Sequence, residues 1–206
     1  MAAIATAKQE ETFYWKVVFF TNGLIPLIYL VHDWYVDALG ANPIDYVTRA
    51  TGTLALLFLT LTLAVTPLQK LTGWGTLNKL RRMVGLYAFF YTTLHLLTYV
   101  WWDQELRLGA AAHDVVKRPF IAVGLAAWLM MLPLAITSSN GMVRRIGGKR
   151  WKLLHRLTYL AAGLGVTHFY LLLKVPTAKL KYYATAVTVL LAARVLLWAL
   201  RKRKRA

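Results

Sequence analysis

Six blocks of apolar residues divide the chain, at about 14–31, 48–66, 83–101, 120–138, 153–173 and 183–200. Each is roughly 18–21 residues, the length at which an α-helix crosses a hydrocarbon core of ~30 Å. Charged residues gather between the blocks. They do not recur within them at the spacing of an amphipathic helix or an alternating strand. Backbone groups in lipid must be satisfied within the segment, so each block predicts a membrane helix. A β-barrel would need shorter, alternating segments. Ala-Asn-Pro at 41–43, Thr-Pro at 66–67, Arg-Pro at 118–119, Ser-Ser-Asn-Gly at 138–141 and Val-Pro at 175–176 punctuate the blocks. The pattern predicts an all-α integral membrane protein, a six-helix bundle forming one domain over 1–206. No connection is long enough for a second folded unit, no internal repeat is visible, and the first block is expected to remain as a helix rather than a cleaved signal.

Composition adds to this picture mainly through charge. The 206 residues are 58% hydrophobic and carry 25 Lys and Arg against 8 Asp and Glu, a net charge of +17. Such a balance suits nucleic acid, but its distribution argues for a membrane. Lys70, Lys79, Arg81 and Arg82 follow the second block; Arg144, Arg145, Lys149, Arg150 and Lys152 follow the fourth; the tail at 201–206 begins RKRKR. Asp33, Asp37 and Asp45 follow the first block instead, and the last short connection, with Lys174, Lys179 and Lys181, is the one exception. The positive-inside rule then places both termini in the cytoplasm, with the basic face against anionic headgroups or an acidic partner. Most of the tryptophans, among them Trp15, Trp34, Trp101, Trp102 and Trp151, fall near block ends, as interfacial belts require. The chain has no cysteine, which excludes disulfides, thiolate metal sites and thioether-linked haem.

The chemistry concentrates in histidine. His32 and His113 fall near water, whereas His95, His155 and His168 lie inside apolar blocks, where a polar side chain marks function or an interhelical hydrogen bond. The third and fifth helices run in the same direction. His95 lies 13 residues after Arg82, and His168 lies 13 residues after His155. At 1.5 Å per residue, each offset is ~20 Å. His95 and His168 are therefore expected at one level in the outer half, with His155 level with Arg82 near the cytoplasmic surface. Two imidazoles at one depth on neighbouring helices suit bis-histidine ligation of a haem iron. Glycines that admit the disc to the backbone are sought in Gly52, Gly85, Gly163 and Gly165. Zinc would call for three or four close ligands. Thirteen residues of ideal helix turn His155 about 140° away from His168, so the fifth helix is expected to distort, most easily at Gly163-Leu-Gly165.

The stretches RRMVGLYAFFYTTLHLLTYVWW, GKRWKLLHRLTYLAAGLGVTHFY, LGANPIDYVTRATG, TPL at 66–68 and KRPFIAVG at 117–124 resemble, in order and spacing, the haem-binding membrane subunits of bacterial periplasmic methionine sulfoxide reductase systems. These belong to the wider ferric-reductase-like transmembrane group. The resemblance implies b-type haem held by His95, His168 and His155. Arg82 stands where the wider group has a further histidine, which leaves a second haem at His155 without one expected ligand. It further implies electron relay across the bacterial inner membrane, from a cytoplasmic flavin reductase or quinol to a separate periplasmic molybdenum-containing catalytic subunit. FMN at the cytoplasmic face is a further candidate cofactor. The chain itself has no phosphate-cradling glycine motif and no room for a nicotinamide domain. Arg82 and Arg81 are candidates to pair with haem propionates, beside simple anchoring at the membrane face. Two other readings stay open: a quinol-oxidising cytochrome b with no dedicated periplasmic enzyme, and a small non-redox transporter or assembly factor.

Overall fold

A computed structural model describes residues 2–173 and 175–203. Lys174 and the last three residues of the basic tail, 204–206, lie outside the described residues. The chain is helical throughout, in the order α1 (Ala2–Tyr35), α2 (Pro43–Thr72), α3 (Thr76–Thr98), a π turn (Tyr99–Asp103), α4 (Leu108–Lys117), α5 (Pro119–Ile136), α6 (Asn140–Ile146), α7 (Gly148–Leu154), α8 (Leu157–Leu172) and α9 (Ala178–Arg203). Among the described residues, four helices are long and apolar enough to cross a membrane: Gln9–Tyr35, Pro43–Thr72, Thr76–Asp103 and Pro119–Ile136. The remaining two apolar blocks form α8, of 16 residues, and α9, of 26. Exposed apolar side chains such as Phe20, Ile28, Leu97, Leu129, Leu160 and Val189 cover the outside. This surface suits lipid, and the chain is a multi-pass membrane protein.

The helix ends follow from local chemistry. The Asn42 side chain accepts the Asp45 amide at 3.1 Å and Pro43 occupies the first turn, where its missing N–H costs nothing. Gly73 ends α2 in the left-handed conformation at φ 72°, its amide closing on the Gln69 carbonyl. Short helices α4, α6 and α7 fill connections whose apolar runs are too brief to predict a membrane helix.

The block expected as one helix over 153–173 is divided. α7 ends at Leu154, α8 begins at Leu157, and between them the amides of Arg156 and Tyr159 bond the carbonyls three residues back, Leu153 and Arg156, each at 3.0 Å. The distortion therefore lies at His155–Arg156. α8 runs unbroken through Gly163 and Gly165, and Gly165 packs against Leu56 and Leu59 of α2.

α2 packs along α3, α5 along α8, α9 lies against α2 and α8, and α1 lies against α3. Leu59, Leu63, Ala88, Met131, Ala161, Ala162 and Val187 bring α2, α3, α5, α8 and α9 to one core. Ala88, Ala161 and Ala162 are fully buried there, small residues that let helix backbones approach in the absence of a water-driven collapse. Tyr87 and Tyr91 form a second core. Their hydroxyls donate to the carbonyls of Phe20 and Gly23 on α1, each at 2.6 Å, because a buried phenol needs an acceptor.

Candidate functional site

α3 and α8 bring the rings of His95 and His168 together. Their ring centroids are 5.9 Å apart and their planes 79° to one another. Each ring is pinned in the same way. His95 Nδ1 lies 2.9 Å from the Thr48 carbonyl of α2, and His168 Nδ1 lies 2.7 Å from the Phe120 carbonyl of α5. A carbonyl only accepts, so each Nδ1 carries the hydrogen and each Nε2 keeps a free lone pair. This is the arrangement that orients imidazole for metal ligation and raises its basicity.

A glycine makes each contact possible. Thr48 and Gly52 are four apart on α2; Phe120 and Gly124 are four apart on α5. In a helix, residue i+4 stands over the carbonyl of residue i, and its Cβ would screen that oxygen. At Gly52 a Cβ would meet the His95 ring at 3.0 Å, and at Gly124 it would meet His168 Nδ1 at 2.7 Å. The two histidines thus lie on two glycine shelves, one per helix pair. Metal–imidazole bonds of about 2.0–2.1 Å, as at zinc, put ring centroids roughly 6 Å apart across a shared ion. The observed separation leaves room for one metal atom between the rings, so the pair could hold a metal-bearing cofactor.

His155 is placed differently. Its Nδ1 lies 3.0 Å from the Trp151 carbonyl and its ring stacks on Trp151, centroids 3.7 Å apart, while Trp151 Nε1 donates to the Thr137 carbonyl at 2.9 Å. His155 Nε2 is buried without a partner. It borders a cavity of about 370 Å³ whose walls come from α2, α3, α5, α8 and α9. Arg81, Arg82 and Gly85 border the same cavity, as do Asn78, Tyr159 and Arg194. Buried polar atoms are rarely left unpaired, and a nitrogen with only the Leu134 backbone near it, on a residue that lines a cavity, makes His155 a candidate ligand. The fit to a metal-bearing cofactor is chemical: one free imidazole nitrogen, apolar walls from Leu63, Phe89, Met131 and Leu134, and several guanidiniums.

Arg82 is held by Asn140, Nη1 donating to the side-chain oxygen at 2.7 Å. That bond ties α3 to α6 at the basic end. Gly163 faces open space and contacts neither histidine shelf. His32 pairs with Asp33 at 3.1 Å on the surface. Three participants escape the sequence pattern: Gly124, Arg194 and the Trp151 stack. A signal exists for two of them, the lone charge at 194 inside the block 183–200 and the four-residue spacing shared by Thr48–Gly52 and Phe120–Gly124.

The helical fold and its paired histidines define a class of membrane component. Residues 51–166 match the family model described as ferric reductase like transmembrane component. Similarity to individual proteins runs over most of the chain. The protein-methionine-sulfoxide reductase heme-binding subunit MsrQ of Herminiimonas arsenicoxydans is 47% identical over 92% of this chain and 88% of its own length. The subunit of the same name from Azospira oryzae is 50% identical over 87% of this chain and 78% of its own. The chain belongs to the MsrQ family. It is also similar to the magnetosome protein MamZ of Magnetospirillum gryphiswaldense, at 43% identity over 89% of this chain but only 29% of that protein.

Proposed function

We propose that the chain is a b-type haem protein of the bacterial inner membrane that relays electrons outward to a periplasmic methionine sulfoxide reductase. The observation that carries this reading is the His95–His168 pair, two pinned imidazoles with free Nε2 atoms 5.9 Å apart between ring centroids. The relatives' printed names, heme-binding subunit of a protein-methionine-sulfoxide reductase, support both the cofactor and the system. His95 and His168 would hold one haem through their Nε2 atoms. His155 would ligate a second in the cavity at the basic end, with Arg81 and Arg82 beside its acidic groups and Gly85 admitting it to α3. The Lys and Arg asymmetry supports six crossings with both termini cytoplasmic, so the cavity opens inward and the histidine pair lies outward.

The iron of a bound haem supplies one-electron chemistry. The chain supplies the rest. Thr48 and Phe120 hold the tautomer that leaves Nε2 free, Gly52 and Gly124 let the rings lie against the backbone, and the helix packing keeps water out. Fixed ligands need little rearrangement when charge changes, which favours transfer. The terminal acceptor is a molybdenum-containing periplasmic subunit, and the donor at the basic face is a flavin reductase, with FMN bound there, or quinol.

The test is the visible spectrum of the purified protein and of H95A and H168A. A reduced-minus-oxidised α-band of low-spin b haem is expected in the parent, lost or turned high-spin in each variant. A parent without haem points to a transporter or assembly factor. Full content and an unchanged low-spin spectrum in both variants would remove the ligand assignment.

A further inference from the structure

Arg194 is a cation in the middle of an apolar helix, and its surroundings explain how it is held there. Its Nη2 donates to the Leu63 carbonyl at 2.8 Å and to Thr66 Oγ1 at 3.2 Å. The Leu63 carbonyl is free because the residue four positions on is Pro67, which has no N–H to close the helical bond. Nη1 donates to the Tyr159 hydroxyl at 2.7 Å, and the guanidinium carbon lies 4.9 Å from the centre of that ring. All these partners are neutral, and Nε is buried with none.

The other charges make this placement costly. Arg81 borders the same cavity as Arg194. No carboxylate is among the cavity's lining residues. Among the described residues the ion pairs are His32–Asp33, Arg49–Asp45, Arg107–Glu105 and Arg118–Asp114, none of which involves either arginine. Two guanidiniums lining one low-dielectric cavity, without a counter-charge, call for an anion, and their planar forks suit carboxylate or phosphate oxygen.

We infer that Arg81 and Arg194 form a receptor for an acidic group, a carboxylate or a phosphate, carried by the molecule that fills this cavity, and that Thr66-Pro67 aims Arg194 into it. The acid would then be bound inside the bundle, deeper than Arg82, which Asn140 holds at the basic end. The inference rests on the reading of the cavity as a cofactor site and adds which part of the cofactor enters it.

The experiment titrates the haem-depleted full chain in detergent with two matched pairs of probes: haem against haem dimethyl ester, and FMN against riboflavin. The cavity component is the one lost in H155A, and the low-spin spectrum of the His95–His168 pair reports folding. The parent is expected to prefer an acidic member over its neutral partner at least tenfold, and R194Q to lose most of that preference. H155A is expected to weaken haem and its ester alike. A preference within the haem pair identifies a carboxylate as the source; one within the flavin pair identifies a phosphate. Equal binding of acidic and neutral forms by the parent, or a preference that R194Q leaves intact, overturns the receptor while leaving His155 as a ligand. A parent that loads neither haem nor flavin in the cavity overturns the receptor and the cofactor reading together. If R194Q loses the folding spectrum, P67A decides. It restores the amide at 67 that competes for the Leu63 carbonyl, and an undiminished preference there overturns the inference.

Discussion

Substituting Gly124 by alanine adds one methyl group at the back of His168. Its Cβ would lie 2.7 Å from Nδ1, 2.9 Å from Cε1 and 3.4 Å from Cγ. Atoms of a ring cannot move independently, so the imidazole must tilt away and its 2.7 Å bond to the Phe120 carbonyl must lengthen. Losing that bond costs about 0.5–1.5 kcal/mol, and forcing a methyl into a filled space costs about 1–3 kcal/mol. Outer-shell changes at metal ligands typically lower affinity by about 10–100-fold, or roughly 1.4–2.7 kcal/mol at 1.36 kcal/mol per decade. The estimates overlap, and we expect G124A to weaken haem at the pair by about 10–100-fold on that scale. G52A should do less, because its Cβ meets the His95 ring at 3.0 Å, where a few tenths of an ångström relieve the contact. G109A is the control, with nothing within 4 Å of its added atom. The assay is haem titration with the low-spin band as readout. If G124A and G52A both behave like G109A, the glycine shelves do not orient the histidines.

Other outcomes follow from single contacts. Reporter fusions or cysteine accessibility should place the connection 139–152 in the cytoplasm; an external location reverses the proposed direction of electron flow. Haem extraction should give two haems per chain in the parent and one in H155A, and one haem in both makes His155 structural. Y91F removes the 2.6 Å bond to the Gly23 carbonyl of α1. It should lower stability by about 1 kcal/mol, read as a drop of a few degrees in thermal unfolding, with haem content unchanged; a loss of haem instead would show that α1 packing supports the His95 side.

The long helices are legible because block length alone selects them, and the His95–His168 pair because equal offsets along two parallel helices survive any modest tilt. What the pattern misses depends on contacts between helices. Gly124 matters only because α5 lies behind His168, and no one-dimensional period contains that fact. Arg194 looks isolated in its block, yet its anchor is a carbonyl on α2 that Pro67 set free. Arg82 is legible as a residue of the basic end, but its Asn140 partner belongs to a short helix hidden in a connection. The break at 155–156 is invisible because Leu153, Leu154 and Leu157 carry the apolar block across it while the backbone bonds change from four-residue to three-residue spacing. Glycine drew the expected distortion to 163–165, whereas α8 uses Gly165 for close packing on α2.

That break also separates two mechanical units. A continuous helix would behave as a rod, and any push on its basic end would reach His168 as a rotation or a slide. At His155 that rod changes to three-residue bonds, and α7, tied to the Thr137 carbonyl through Trp151, is set off from α6 by Gly147 at φ 84°. A change at the basic end would then reach the turn at His155 before α8, while His95 and His168 stay held by the Thr48 and Phe120 carbonyls. His155 takes its position from a turn and His168 from a helix, within what the sequence presents as one apolar block.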